Sequence, residues 1–452
     1  MSSLAITGHE VRRLLRDRAL PVLLILLLAL GAYAAWNGAD WARERGAAIG
    51  LLEAEEQDTA ARARKFVGNA PSVLPRSQPV LPGGSMAPLS IGQADAYPFT
   101  ADVVALGGYT QLFKPGWADI GNPAARAAGR FDLAFVIVFL LPLVVLAVTY
   151  DLWSRERERG VAAMVLSQPV AAAPLIAVKA LARGLIVLLP SMAIIVAVAA
   201  GAGAQDPAGL MALASTVLAY GGFWLAVAVI IGLHARRSTE AAIAAGATWL
   251  LVVIMMPSLS LAAIDLVSPP PSEMRFATDM KARMTGIAER QRLHRQSNPT
   301  PARTPAPRIP DQMRDDYADR VAADLELAPM IAAHRQALEA RRHLLDKARF
   351  FLPSVAVQDA LDRIAGSDAG RAIAFQSQVI RFWQERRLLH KAYLDRDAMQ
   401  TLAEYDELPR FRFRETGGAF QRGVLADLAA LVIATALILI AAWSLRGRAA
   451  TP

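Results

Sequence analysis

Six stretches of about 17–27 residues carry almost no charge, and they constrain this chain more than its length does. They run Leu20–Trp36, Leu133–Tyr150, Pro174–Ala200, Leu210–Leu233, Ala241–Val267 and Val424–Leu445. As a helix rising about 1.5 Å per residue, each matches a hydrocarbon core about 30 Å thick. A 452-residue chain of ordinary composition would read as two or three soluble domains. Here only 19% of residues are charged, against about 25% in soluble domains, and the mean hydropathy is +0.31. The expected fold is all-α: a polytopic membrane protein with six transmembrane helices and a mainly helical extracytoplasmic domain. The first stretch has the basic flank and apolar core of a signal peptide. No convincing small-residue cleavage site precedes Trp36, and the run is long for a signal core, so it reads as an anchor.

Arginine and lysine in the short connections give the orientation. The N-terminus carries Arg12, Arg13, Arg16 and Arg18, and the second-to-third connection carries Arg155, Arg157 and Arg159, with Lys179 and Arg183 just beyond. Arg236 and Arg237 lie between the fourth and fifth spans, and Arg446 and Arg448 follow the sixth. The third-to-fourth connection has no basic residue and holds Asp206. With six crossings, all four basic segments fall on one side, the cytoplasmic side of a bacterial inner membrane, with both termini. The chain then divides into a cytoplasmic interfacial helix (1–19), span one (20–36), a first extracytoplasmic region (37–132), span two (133–150) and a cytoplasmic segment (151–173). Spans three to five (174–267), a second extracytoplasmic helical region (268–423), span six (424–445) and a cytoplasmic tail (446–452) complete it. Long connections translocate largely regardless of their charge, so their arginines do not contradict this order.

In the first long connection, Trp41–Val67 lacks proline and reads as a continuation of the first helix, while 71–98 is rich in Pro, Gly and Ser and reads as irregular. In the second, Pro269–Pro271 stops the fifth span, and helices are expected over Glu273–Arg295, Asp311–Arg349 and Ser367–Met399. Phe350–Pro353 reads as the break between the last two. The mixed, nearly balanced charge of these helices reads as a solvated surface, with no basic–aromatic interleaving that would suit nucleic acid.

Much chemistry is missing. Zero cysteines remove disulfide scaffolds, Cys zinc sites, thiol catalysis and cysteine-ligated clusters. There is no G-x-x-x-x-G-K-[ST] and no G-x-S-x-G. His9-Glu10 opens a zincin pattern whose second histidine would fall at Arg13, and the other histidines are scattered. No catalytic residue, cofactor site or metal ligand is expected. Asp132, Glu240, Asp265 and Asp427 sit at span ends, and no span carries a charge near its midpoint, as an ion-coupled carrier would need. Pro142 and Pro190 read as kinks. Energy for uphill movement would therefore come from a partner.

Two features on the basic side suit partners. Ala5–Ala19 alternates Leu and Val with Arg12, Arg13, Arg16 and Arg18, the pattern of a helix lying on a bilayer with anionic headgroups, or of a plain topology signal. Tyr150–Pro169 carries five alternating charges, Arg155 to Arg159, then Gly160 and the apolar Val161–Leu166. It reads equally as a docking segment for a charged protein and as a solvated juxtamembrane turn.

The run Glu156-Arg157-Glu158-Arg159-Gly160, then Leu166-Ser167-Gln168-Pro169 and Lys179, resembles the segment after the second span of ABC-2-type transporter permeases. Val161 stands where that family usually has Thr. Pro88-Leu89-Ser90-Ile91-Gly92-Gln93-Ala94-Asp95-Ala96-Tyr97-Pro98 and Phe351-Leu352-Pro353-Ser354, Leu361, Ala365-Gly366-Ser367-Asp368 and Phe375 are similar to motifs of one branch with large exported insertions. That branch is commonly labelled a permease component of multi-copper enzyme maturation. The resemblance covers nearly the whole chain. It implies a non-catalytic permease subunit, an exporter, pairing with a second permease and with an ABC ATPase subunit that binds the ATP. Ser154, Arg155, Glu156, Arg157, Glu158, Arg159 and Gly160 would be its ATPase-coupling residues. The rival expectation is a membrane-anchored protein that transmits force or assembles an envelope complex without a substrate path.

Overall fold

The computed structural model describes residues 18–68, 74–113, 131–167, 172–298, 307–415 and 418–444. Among them there is no strand; isolated antiparallel bridges pair Ser77 with Val103 and Val80 with Thr100. Six helices are long and apolar enough to cross a membrane, as expected from the uncharged stretches.

Helix α1, Ala19–Arg64, is continuous through the first span and beyond it. At about 1.5 Å per residue it is roughly 70 Å long, more than twice a hydrocarbon core. Its buried positions, Leu27, Gly31, Ala34, Ala35, Gly38 and Trp41, form one stripe of mostly small residues, while Val22, Ile25, Leu26, Tyr33 and Trp36 stay exposed. An outward-facing set of large apolar residues on a span suits contact with lipid. Helix α2 comprises Leu133–Phe135, a π turn Val136–Leu140 and Leu141–Thr149. Two short helices follow, α3 (Ser154–Glu158) and α4 (Val161–Leu166). Then come α5 (Ala172–Gly201), α6 (Pro207–His234) and α7 (Ser238–Val267), the last interrupted by a π turn at Leu250–Met255.

The bundle centres on α2 and α6, whose apolar windows are each 67% buried, against 6% for α7. Both π turns precede a proline by one residue, Pro142 and Pro257. A π turn widens the helix and frees carbonyls, and proline withholds an N–H. Neighbouring side chains take the places of the missing donors. The Tyr220 hydroxyl donates to Val138 O at 3.0 Å, and Trp249 Nε1 donates to Phe139 O at 3.1 Å. Ser354 Oγ donates to Val252 O at 3.0 Å, five residues before Pro257. Pro142 thus does more than kink α2, and Pro190 sits inside an α5 that runs on past it.

The second long connection forms α8 (Glu273–Ser297), α9 (Asp311–Ala348), α10 (Pro353–Ala365), α11 (Ala369–Arg396) and α12 (Leu402–Asp406), and α13 (Ala419–Ser444) is the sixth span. Helices α8, α9 and α11 fall where the sequence places them. Helix α10 lies in the gap left between two expected helices. Pro353 opens it, and Gly366 closes it at φ +74°, the proline-first, glycine-last bracket of a helix. Its Val357, Leu361, Ile364 and Ala365 are buried in the same core as the spans, against α13 and α6. The span-end acids serve this docking. Asp265 meets Arg341 of α9 at 2.6 Å, and the fully buried Asp427 lies 3.3 Å from Arg349 and 3.5 Å from Arg363.

The first long connection is clamped between α1 and α10. A Cβ on Gly38 would lie 2.2 Å from Pro88 O, and one on Gly84 would lie 2.2 Å from Ala365 O. These are backbone atoms, which cannot rotate aside. Gly84→Ala is therefore expected to cost about 1–3 kcal/mol or more and to open 74–113 to limited proteolysis. Gly46→Ala, with nothing within 4 Å, should be neutral or slightly stabilising. Equal protease resistance in both variants would refute the clamp.

Candidate coupling site

The 151–167 segment and the α6–α7 turn meet at one end of the bundle. The two long connections and the 202–206 turn meet at the other, where Met86 packs against Gly209. The segment leaves α2 through Leu152 and Trp153, both fully buried against Leu175, Ile176 and Ala180 of α5, Leu233 of α6 and Ala442 of α13. Those two side chains plug the end of the bundle and set the direction of everything after them.

Each charge of α3 has a defined address. Asp151, just before it, accepts from Arg183 at 2.6 Å and pairs with Arg155 at 2.8 Å. Glu156 is paired with Lys179 of α5, whose ammonium sits 5.5 Å from the Trp153 ring centroid. Arg157 donates to Leu233 O at 3.1 Å and Ala235 O at 3.3 Å, supplying donors to carbonyls that the end of α6 leaves unbonded. Glu158 accepts from Ser238 N at 3.1 Å and Ser238 Oγ at 2.7 Å, placing a carboxylate at the positive N-terminus of α7. Ser154 is buried at the start of the turn.

Arg159 and Gly160 face outward, and Gly160 takes φ +74°, a left-handed conformation that favours glycine. Val161 and Met164 are 41% and 71% exposed beside them. Five alternating charges thus resolve into an inner set tied to three spans and an outer face made of Arg159, Gly160, Val161 and Met164. Sequence reasoning picked out Ser154 to Gly160 but not Asp151 as part of the site. Arg183 entered it only as a topology charge. The available signal was the Lys179/Arg183 spacing of four, which puts two cations on one face of α5. Of the basic N-terminal residues, Arg18 is exposed and precedes α1, and Arg12, Arg13 and Arg16 lie outside the described residues.

At the opposite end, the two motifs of the long connections pack on each other. Ser90 Oγ donates to Asp362 Oδ1 at 2.7 Å, and Gln358 Nε2 donates to the same atom at 2.8 Å. Ile91 N donates to Asp132 Oδ2 at 2.9 Å, while Asp132 Oδ1 caps α2 through Phe135 N. Gly92 at φ +47° brings the chain so close that a Cβ would lie 2.5 Å from Asp362 Oδ1. Burial raises the Asp132 carboxyl above its ordinary range and lifts that of Asp362 to about 7, with the neighbouring Asp132 adding to the Asp362 shift. Among the described residues no group of three or more His, Cys, Asp or Glu is arranged to hold a metal ion.

A family model described as "ABC-2 family transporter protein" matches residues 4–443. No curated protein matches the chain.

Proposed function

The chain belongs to the ABC-2 family of transporter proteins, and from that premise we propose that it is the permease subunit of an ABC exporter whose ATP is hydrolysed by a separate ATPase subunit. The lysine and arginine distribution supports a bacterial inner-membrane protein with both termini and residues 151–173 in the cytoplasm. The permease catalyses nothing itself. It pairs with a second permease, a copy or a paralogue, and the route lies between them. The Pro88–Pro98 and Phe351–Phe375 motifs support the branch with large exported insertions.

The observation that carries the reading is the division of the coupling segment into an inner brace and an outer face. The ATPase docks on Arg159, Gly160, Val161 and Met164. Its closure on ATP presses there, and the inner pairs pass the displacement to three spans together: Glu156–Lys179 to α5, Arg157 to the end of α6 and Glu158 to the start of α7. ATP then biases the bundle between two packings.

Arg159→Glu/Met164→Glu should abolish recovery of a stoichiometric ATPase when the tagged chain is pulled from solubilised membranes, with folding unchanged because neither side chain is buried. Substituting Glu156 or Glu158 would be a poorer test, since each also breaks an internal tie. An ATPase that stays bound to the double variant would move the docking face elsewhere. No ATPase with the wild-type chain would overturn the permease assignment.

A further inference from the structure

A groove of about 590 Å³ lies between α9 and α11, beyond the spans, and its construction is that of a ligand site. Pockets for small organic ligands run roughly 300–1,000 Å³ with apolar walls and a few placed polar groups. Here the floor is Trp383 and Ile331, which are 5% and 8% exposed. The Trp383 indole N–H donates to Gly107 O at 3.1 Å, so the ring meets the groove with no polar demand of its own. The Arg387 guanidinium lies 4.6 Å from the Trp383 centroid and pairs with Asp324, whose other oxygen accepts from Tyr109 N at 3.2 Å. That arginine is paired and held beside the indole. Arg335 also lines the groove, and among the described residues it pairs with no carboxylate. The charge left over in the lining is therefore positive. At the rim, Leu325 and Leu388 are 70% and 66% exposed, apolar surface that an occupant would cover.

We propose that this groove binds a small soluble organic monoanion with a flat apolar body, the ring system against Trp383 and the rim leucines and the acid group on Arg335. The aromatic floor and the prelocked Arg387 select a planar body. The exposed Arg335, which meets no carboxylate among the described residues, selects the negative end. Nothing in this argument uses the transport reading, so either can fail alone.

The test is calorimetric titration of the full-length chain, in nanodiscs of phosphatidylcholine alone, with 2-naphthoate and its neutral counterpart 2-naphthamide. Empty nanodiscs supply the blank for partitioning into lipid. The expected result is one saturable naphthoate site per chain, weakened about tenfold or more by Arg335→Gln, retained in Arg335→Lys, and at least as weak for the amide. Ala328→Trp, at an exposed wall position, should fill the groove and abolish binding without disturbing the fold. No saturable binding, or binding untouched by both Ala328→Trp and Arg335→Gln, overturns the site. Equal affinity for amide and acid overturns its choice of an anion.

Discussion

Asp151→Ala is expected to destabilise the purified chain by about 3–5 kcal/mol, and adding Arg183→Met should return most of that loss. The Arg183 side chain is 2% exposed and that of Asp151 is 9% exposed, so the pair is withdrawn from water. Removing the carboxylate takes the charged partner away from a buried guanidinium that also reaches Val148 O at 3.4 Å. A buried charge that loses its counter-charge keeps its desolvation cost, and that makes such a substitution costly. Replacing both partners by apolar side chains removes the charge together with its desolvation, which is why the double variant recovers. Arg155, the other partner of Asp151, is about one-third exposed and can turn to solvent, so it contributes little to the loss. Mixed-micelle unfolding of the four chains in the cycle measures the coupling directly. A single variant within about 1 kcal/mol of wild type, or a double variant no better than the single, would show that the pair is not the buried brace described.

The spans were legible because a helix in hydrocarbon has few alternatives: its side chains must be apolar over some 20 residues, and nothing else in the chain satisfies that. The extension of α1 was legible for a related reason, an unbroken run of helix formers without proline. Helix α10 was not, because its Asp359, Asp362 and Arg363 make its 13 residues look like surface. Two of their partners, Ser90 and Asp427, lie far away in sequence, and with the nearer Arg349 they neutralise or bond what a local reading sees as charge. The 151–167 segment shows the same limit. Its alternating charges stood out, but which ones point inward is decided by Lys179, Leu233 and Ser238 on three other helices. The two long-connection motifs were each visible alone. That they form one contact, Ser90 on Asp362, is a property of the fold. Pro142 was visible as a kink, but Pro257 was not singled out, and neither were the hydroxyl and indole donors that serve the π turns beside them.

That same contact gives the chain a stability that declines as pH rises from about 4 to about 7. Burial is the main cause that lifts the Asp362 carboxyl from 3.8 to about 7; the Ser90 and Gln358 donors pull it back, and the nearby Asp132 and Asp359 push it up. In the unfolded chain the group ionises near its ordinary value. Between these two values the folded chain holds a proton that the unfolded chain has released, so stability is greatest at the acid end and falls with rising pH. Each unit of separation is worth about 1.4 kcal/mol, which makes the full effect of order 4 kcal/mol by pH 8. Asp132, raised in the same direction by burial, adds a smaller slope of its own. Asp362→Asn keeps an oxygen to accept from Ser90 and Gln358 and can never ionise. It should match wild type below about pH 4 and lead it by a margin that grows with pH, to a few kcal/mol at pH 8, because the Asp362 contribution to the slope is gone. Protection of residues 74–113 from protease should follow the same curve, because Ser90–Gly92 is the part of that connection lying on Asp362. A wild-type chain as stable at pH 8 as at pH 5, or an Asn variant shifted equally at both, would mean that this carboxyl ionises freely and that the contact between the two motifs is open to water.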